Sequence, residues 1–352
     1  MYPQGVQWRA HDTPVSDSDP DDVVHSVVFE PAGTGRSGGR SEDWQQRGEQ
    51  ASTTSSGQVD LVLMHGFGNG GGCFWRNVAS FGAMGRTHLV DWRGAGMSGR
   101  PRSFPPRTYE ECVEYFVDGL EAWRRERLGE TTKMCLVGHS MGAMIATHYA
   151  RRHPDRVSHL ILTGPASMKD DSDPAKLADF LQGSLLRRFM FNVASLAWRL
   201  GFTPQDFARW LPGNTALRFG AGYSLRRWRA GDVLDEEGTL KLARYVTGVV
   251  CMPGCSEKVM SVFLKPIGRA NKSLASVIEH ELDVAIPVTF VYGERDWMTP
   301  KSGEECTDDM LAGTRRVTKN VEFHLLPNAG HFAFIDQPKP FEDIVRSKWR
   351  RS

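Results

Sequence analysis

The stretch "LVGHSMGAM" (136–144) sets Ser140 between Gly138 and Gly142, directly after "KMCLV" (133–137), a run that reads as a buried strand. Two readings compete for that serine. It can open the following helix as an N-cap, its hydroxyl accepting from a backbone N–H. Alternatively it can stand on a sharp strand-to-helix turn, where flanking glycines leave room for the reversal and the hydroxyl is held above the sheet. A hydroxyl is a poor nucleophile at neutral pH. The second reading therefore demands a base, an acid that orients the base, and donors ready for an oxyanion.

Those partners are present in order. Asp296, in "VYGERDWM" (291–298), follows the predicted strand "PVTFVY" (287–292), and His331, in "NAGHF" (328–332), follows the predicted strand "VEFHLL" (321–326). The order serine, acid, histidine at successive strand ends is that of α/β-hydrolases. In those roles His331 takes the Ser140 proton and later protonates the leaving group, while Asp296 fixes its tautomer and stabilises the imidazolium. One oxyanion donor is expected at Met141 N–H. The other is expected at Phe67, in "HGFGNGG" (65–71), where His65 and Gly66 support the turn. Such a reaction requires no metal and no organic cofactor.

The glycine loop has a rival meaning. Gly66, Gly68 and Gly71 spell G-x-G-x-x-G after a strand, and Asp91 ends the next strand 20 residues beyond Gly71, as a dinucleotide-binding fold requires. That reading would leave Ser140, Asp296 and His331 as coincidences.

Around these motifs, short apolar runs (59–64, 87–90, 133–137, 159–163) alternate with helical patterns (109–127, 140–152), and a final helix is expected near 339–349. The alternation predicts an α/β protein: a mostly parallel sheet with helices on both faces. "VVHSVVFEP" (23–31) reads as the first strand. Residues 33–57 contain no Val, Ile or Leu and read as a disordered insertion within an N-terminal segment, 1–58. The core is expected in two parts, 59–167 and 285–352, split by a helical lid over 168–284.

At 352 residues and 40% hydrophobic content the chain can bury a large core. A formal net charge of +1 argues against nucleic acid as a partner. The six cysteines are scattered and read as buried reduced thiols, although Cys251 and Cys255 lie close together in "CMPGC". The polar N-terminus lacks a secretory signal and no run is long enough to span a bilayer, so a cytoplasmic protein that visits a membrane or lipid-droplet surface is expected.

With these motifs in place, the chain resembles the α/β-hydrolase-domain 4/5 subfamily, which includes phospholipid acyl hydrolases, lysophosphatidic acid acyltransferases and a lipase co-activator. "LMHGFGNGGGCFWRN", "DWRGAGMSGRP", "GHSMG", "YGERDWM" and "NAGHFAFIDQP" stand in that subfamily's order, over residue 59 to the C-terminus. Ala143 replaces the second glycine that members commonly carry after the elbow. The resemblance implies a serine esterase or lipase with an α/β-hydrolase fold, acting on an acylated phospholipid or lysophospholipid. It also implies two alternatives: a lysophosphatidic acid acyltransferase using acyl-CoA, and a non-catalytic lipase partner. Co-activator members lack the nucleophilic serine, which this chain has. His331 and Asp336 form the H-x-x-x-x-D pattern the family associates with acyl transfer; the sequence reads Asp336 instead as the N-cap of the last helix.

Residues 185–229 carry eight arginines (Arg187, Arg188, Arg199, Arg209, Arg218, Arg226, Arg227, Arg229) against a single acid, Asp206, interleaved with Phe189, Phe191, Trp198, Phe202, Trp210 and Trp228. Guanidinium groups beside large rings suit an anionic lipid surface, with Arg226, Arg227 and Arg229 as candidate lipid ligands. An amphipathic lid with merely solvated arginines gives the same pattern, and a soluble esterase or peptidase of small substrates is open too.

Overall fold

The continuously apolar runs form the middle of a sheet because both of its faces are covered. The computed structural model describes residues 5–32, 59–102, 104, 106–168, 185–211, 214–224, 227–228, 233–265, 269–298 and 320–350. Its strands in chain order are β1 (Val6–Pro14), β2 (Val23–Pro31), β3 (Asp60–Met64), β4 (Thr87–Val90), β5 (Met134–His139), β6 (Val157–Thr163), the short pair β7 (Leu264–Lys265) and β8 (Arg269–Ala270), β9 (Val288–Gly293) and β10 (Val321–Leu326). Among the described residues the main sheet has eight strands in the order β1-β2-β4-β3-β5-β6-β9-β10. From β4 to β10 every pairing is parallel, and β1 and β2 add an antiparallel edge.

Successive side chains of β3 serve opposite cores. Val62 and Met64 pack with the helices α2 (Tyr109–Leu128) and α3 (Met141–Arg152), while Leu61 and Leu63 pack with α1 (Val78–Gly82) and the C-terminal helix α11 (Pro338–Trp349). A strand buried on both sides needs apolar residues on both faces, as in Leu61 to Met64, so the alternation of a one-sided strand is absent. Helix α2 begins where the Thr108 hydroxyl accepts from Glu111 N–H and Glu111 returns a bond to the Thr108 N–H, a reciprocal cap, and it stops at Gly129 with φ 78°. Between β6 and β9 lie α4 (Leu185–Arg199), α5 (Pro204–Trp210), α6 (Thr215–Ser224), α7 (Glu236–Val250), α8 (Met260–Phe263) and α9 (Leu274–His280). The short α10 (Ala333–Asp336) precedes α11. No helix among the described residues is long and apolar enough to cross a membrane.

The structure changes two readings. The first strand is Val6–Pro14, not 23–31; its polar sequence lies on the sheet's edge, where only Thr13 is buried, so no apolar pattern marks it. Asp336 is not an N-cap. It ends α10, and the capping position of α11 is Gln337, whose side chain caps nothing. The expected insertion at 33–57 lies outside the described residues.

Five histidines are buried and held below the ordinary 6.5 mainly by loss of solvation: His65, His88, His139, His148, pushed down to about 3, and His159, pushed down to about 4. In the unfolded chain these rings take up protons near pH 6.5, whereas in the fold they stay neutral. Their contribution to stability is therefore present above pH 6.5 and is lost as pH falls below it; for His148 and His159 the loss continues toward pH 4, by about 1.4 kcal/mol per pH unit for each ring. The urea midpoint is expected to drop steeply between pH 7 and pH 5. A midpoint that does not move would mean that these rings accept protons inside the fold.

Candidate active site

The C-terminal ends of the parallel strands lie level, since Met64 pairs with Gly138, His139 with Thr163, and Leu326 with Gly293. The loops leaving β3, β5, β6, β9 and β10 therefore open onto one edge, the usual place for a site in such a sheet. Ser140 stands where β5 becomes α3, with φ 54° and ψ −116°. A non-glycine residue with positive φ is strained and persists only when its surroundings hold it. Although Ser140 is the residue before α3, its side chain makes no capping hydrogen bond. The capping reading of this serine is not met.

Close packing explains the glycines. A Cβ on Gly138 would lie 2.5 Å from the Ala143 Cα, and one on Gly142 would meet the carbonyl oxygens of His65 and, at 2.7 Å, Met64. A Cβ on Gly66 would sit 2.9 Å from the Ser140 Cβ and 2.8 Å from the His139 Nδ1. The loop holding Gly66 and Phe67 thus runs in contact with the serine. Met141 is the first residue of α3, so its N–H has no acceptor within the helix, and the helix's positive end faces the same region. His65 is buried, stacked on Trp92 with ring centroids 5.0 Å apart, and its carbonyl accepts from the Trp92 indole at 3.0 Å.

Asp296 follows β9 and His331 follows β10. The His331 Nδ1 donates to both Asp296 oxygens, at 2.9 and 3.1 Å, and the carboxylate is further fixed by the Met298 N–H at 2.9 Å. His139, adjacent to Ser140, donates from Nε2 to the His331 carbonyl at 3.0 Å, with ring centroids 4.7 Å apart. Burial, and then the nearby His331, hold His139 well below its ordinary pKa, so it bonds as a neutral ring.

Sequence reasoning missed two neighbours of this pair. Gly164, just after β6, has φ 49°, and a Cβ there would lie 2.7 Å from Asp296 Oδ2 and 3.0 Å from His331 Nδ1. Trp297 is 66% exposed with its ring centroid 5.4 Å from that of His331. A glycine ending an apolar strand and a tryptophan beside the acid were visible, but nothing in the sequence shows what surrounds them.

Asp91, the ribose ligand of the dinucleotide reading, is used internally. Its carboxylate accepts from Gly71 N–H at 2.5 Å and Met97 N–H at 2.7 Å, joining two loops of the chain itself. A cavity of about 180 Å³ lies between the glycine loop and the inserted helices, lined by Phe67, Asn69, Trp228, Leu242, Val246 and Phe332 among others.

The family model described as the alpha/beta hydrolase fold matches residues 61–338. The chain belongs to the α/β-hydrolase family. This α/β-hydrolase is 31% identical over 302 residues to a 1-acylglycerol-3-phosphate O-acyltransferase of Arabidopsis thaliana, covering 82% of this chain and 66% of the plant protein. It is 29% identical over 298 residues to a probable 1-acylglycerol-3-phosphate O-acyltransferase of Oryza sativa subsp. japonica, covering 81% and 66% respectively, so it spans just under two thirds of these plant relatives. A (lyso)-N-acylphosphatidylethanolamine lipase of Bos taurus is 29% identical over 292 residues, covering 82% of this chain and 78% of the lipase. Among solved structures, the 2-hydroxy-6-oxo-6-phenylhexa-2,4-dienoate hydrolase of Rhodococcus sp. strain RHA1 matches 98% of this chain and 99% of its own, with a TM-score of 0.60. At 16% identity it shares the fold.

Of the candidate lipid-binding arginines, Arg226 and Arg229 lie outside the described residues. Arg227 is described, and its guanidinium pairs with Asp336. Arg209 is anchored too, donating to the Met252 carbonyl at 2.7 Å and pairing with Glu257 at 2.6 Å.

Proposed function

We propose that this α/β-hydrolase is a serine hydrolase that cleaves fatty acyl esters of phospholipids or lysophospholipids through an acyl-Ser140 intermediate. The reading rests on one observation: a strained, uncapped serine at the start of α3 shares a sheet edge with a histidine bonded to a buried aspartate. His331 takes the Ser140 proton as Oγ attacks the acyl carbonyl carbon, and the Met141 and Phe67 N–H groups hold the oxyanion. Collapse expels the lipid alcohol, which receives that proton from His331. Water then gives its proton to His331, attacks the acyl carbon, and releases the fatty acid while the proton returns to Ser140.

A second reading keeps the intermediate and changes what loads and unloads it. If acyl-CoA loads Ser140 with release of the CoA thiol and a lysolipid hydroxyl replaces water as the attacking group, the same intermediate carries out acyl transfer, in keeping with the names of the plant relatives. A lipid panel with mass-spectrometric readout, run with and without acyl-CoA, separates the two. Fatty acid release favours the hydrolase, and acyl-CoA-dependent gain of acylated lipid favours the transferase. Neither product above that of a Ser140→Ala control would end both.

The inserted helices support a lipid surface as the place of action. Leu185, Phe189, Val193, Leu196 and Leu200 form one helical stripe along α4 and its end, all exposed, with Phe207, Trp210 and Phe219 exposed on neighbouring helices. Exposed Arg188, Arg199 and Arg218 accompany them. Apolar patches of this kind mark interaction sites, and arginine beside them suits anionic headgroups. Replacing Phe189 and Leu196 together by Asp is expected to reduce flotation with phosphatidylserine-containing vesicles tenfold or more, since each buried side chain contributes about 2 kcal/mol. Undiminished flotation would remove the docking role from α4.

A further inference from the structure

We infer that Asp336 is a positioning residue for His331, and that the inserted segment around Arg227 and Trp228 fastens the His331 loop through it. The inference rests on the reading of His331 as the base. The Asp336 side chain is completely buried, with three donors from two parts of the chain. Its Oδ2 accepts from the N–H of Gly330, the residue before His331, at 2.7 Å, and pairs with the Arg227 guanidinium. Its Oδ1 accepts from the Trp228 indole at 3.1 Å. One carboxylate thus holds the His331 loop with one oxygen and the inserted segment with both.

The charge makes this arrangement conditional. A buried carboxylate is costly unless it is paired, and Asp336 ends its helix, where the helix dipole does not favour an anion. Arg227 supplies the compensating cation, and Gly330 allows it to approach, since a Cβ there would run into the guanidinium. A second arginine ties the same two regions: Arg76 donates to the Ile335 carbonyl at 2.7 Å and to the Val233 carbonyl at 3.2 Å. If Arg227 leaves, the anion loses its partner, and the bond to Gly330 N–H is the contact through which His331 feels the change. His331 is thereby held from two sides, by His139 at its carbonyl and by Asp336 at the preceding N–H. The H-x-x-x-x-D spacing follows from this geometry, because a carboxylate five residues on can fold back onto the loop that carries the histidine.

The test uses the full chain and compares Arg227→Ala, Arg227→Lys and Asp336→Asn by two readouts. The first is hydrogen–deuterium exchange of the backbone over 327–334. Arg227→Ala is expected to speed exchange there about tenfold, although the substitution lies elsewhere in the chain, with Arg227→Lys restoring most of the protection. The second is turnover of p-nitrophenyl butyrate, a soluble ester that needs no surface. For Arg227→Ala and Asp336→Asn, kcat is expected to fall about tenfold with KM within about twofold, and Arg227→Lys is expected to recover it.

Exchange that changes only in the inserted segment, leaving 327–334 as protected as in the wild type, would overturn the inference. So would an unchanged kcat beside faster exchange, because Asp336 would then be structural only. If Asp336→Asn fails to fold, the two Arg227 variants still decide. Should wild-type turnover prove independent of Ser140, the acyl-ester reading fails by itself, and the exchange measurement still shows whether Asp336 fastens the loop.

Discussion

Replacing Ser140 by glycine is expected to abolish fatty acid release while making the protein more stable. The two effects have separate causes. The hydroxyl is the proposed nucleophile, and removing a triad serine costs on the order of 10⁵-fold in kcat or more. The backbone at this position, with φ 54° and ψ −116°, is strained for a residue with a Cβ and open to glycine. Relief of that strain is worth about 1 kcal/mol. Ser140→Ala loses the same activity but keeps the Cβ, so its stability should stay near that of the wild type. Mass-spectrometric fatty acid release and urea midpoints on the three proteins check both statements. Release by either variant at a rate near that of the wild type would remove Ser140 from the chemistry. Equal midpoints for the alanine and glycine variants would show that the elbow stores no strain.

What the sequence revealed followed from contacts that are local or strictly patterned. The central parallel strands were legible because burial on both faces demands unbroken apolar runs, and Ser140 and Asp296 were singled out because each follows such a run closely, whereas His331 follows the edge strand β10, which Glu322 and His324 interrupt. The edge strand β1 was not, since one paired edge and little burial impose no pattern on Val6–Pro14. Asp336 was misread for a related reason. Its position before Pro338 suggests a cap, and only the fold brings Arg227, Trp228 and Gly330 to its carboxylate, from 109, 108 and 6 residues away in the chain. The arginines of the helices between β6 and β9 illustrate the same limit: equal in the sequence, they divide in the structure into anchors such as Arg209 and Arg227 and exposed side chains such as Arg199.

Gly164 offers the sharpest test of the Asp296–His331 pair, because glycine there is required by two independent constraints. Its φ of 49° costs any other residue about 1 kcal/mol, and the Cβ of an alanine would lie 2.7 Å from Asp296 Oδ2 and 3.0 Å from His331 Nδ1. Gly129 separates the two constraints, since it also has positive φ, 78°, but nothing lies within 4 Å of where its Cβ would be. Gly129→Ala should therefore lose stability and keep kcat. Gly164→Ala should lose stability and also move the pair, and a shift of the order of 1 Å at a catalytic group costs roughly 100-fold in kcat. Its labelling by a fluorophosphonate should slow in proportion, because that reaction too depends on His331 drawing the proton from Ser140. A Gly164→Ala protein as active as Gly129→Ala would mean either that the pair yields without consequence or that it does not serve Ser140. Labelling distinguishes these outcomes: an Asp296→Asn variant that still reacts at the wild-type rate would exclude the pair from the mechanism, and one that does not would show that the loop after β6 gives way instead.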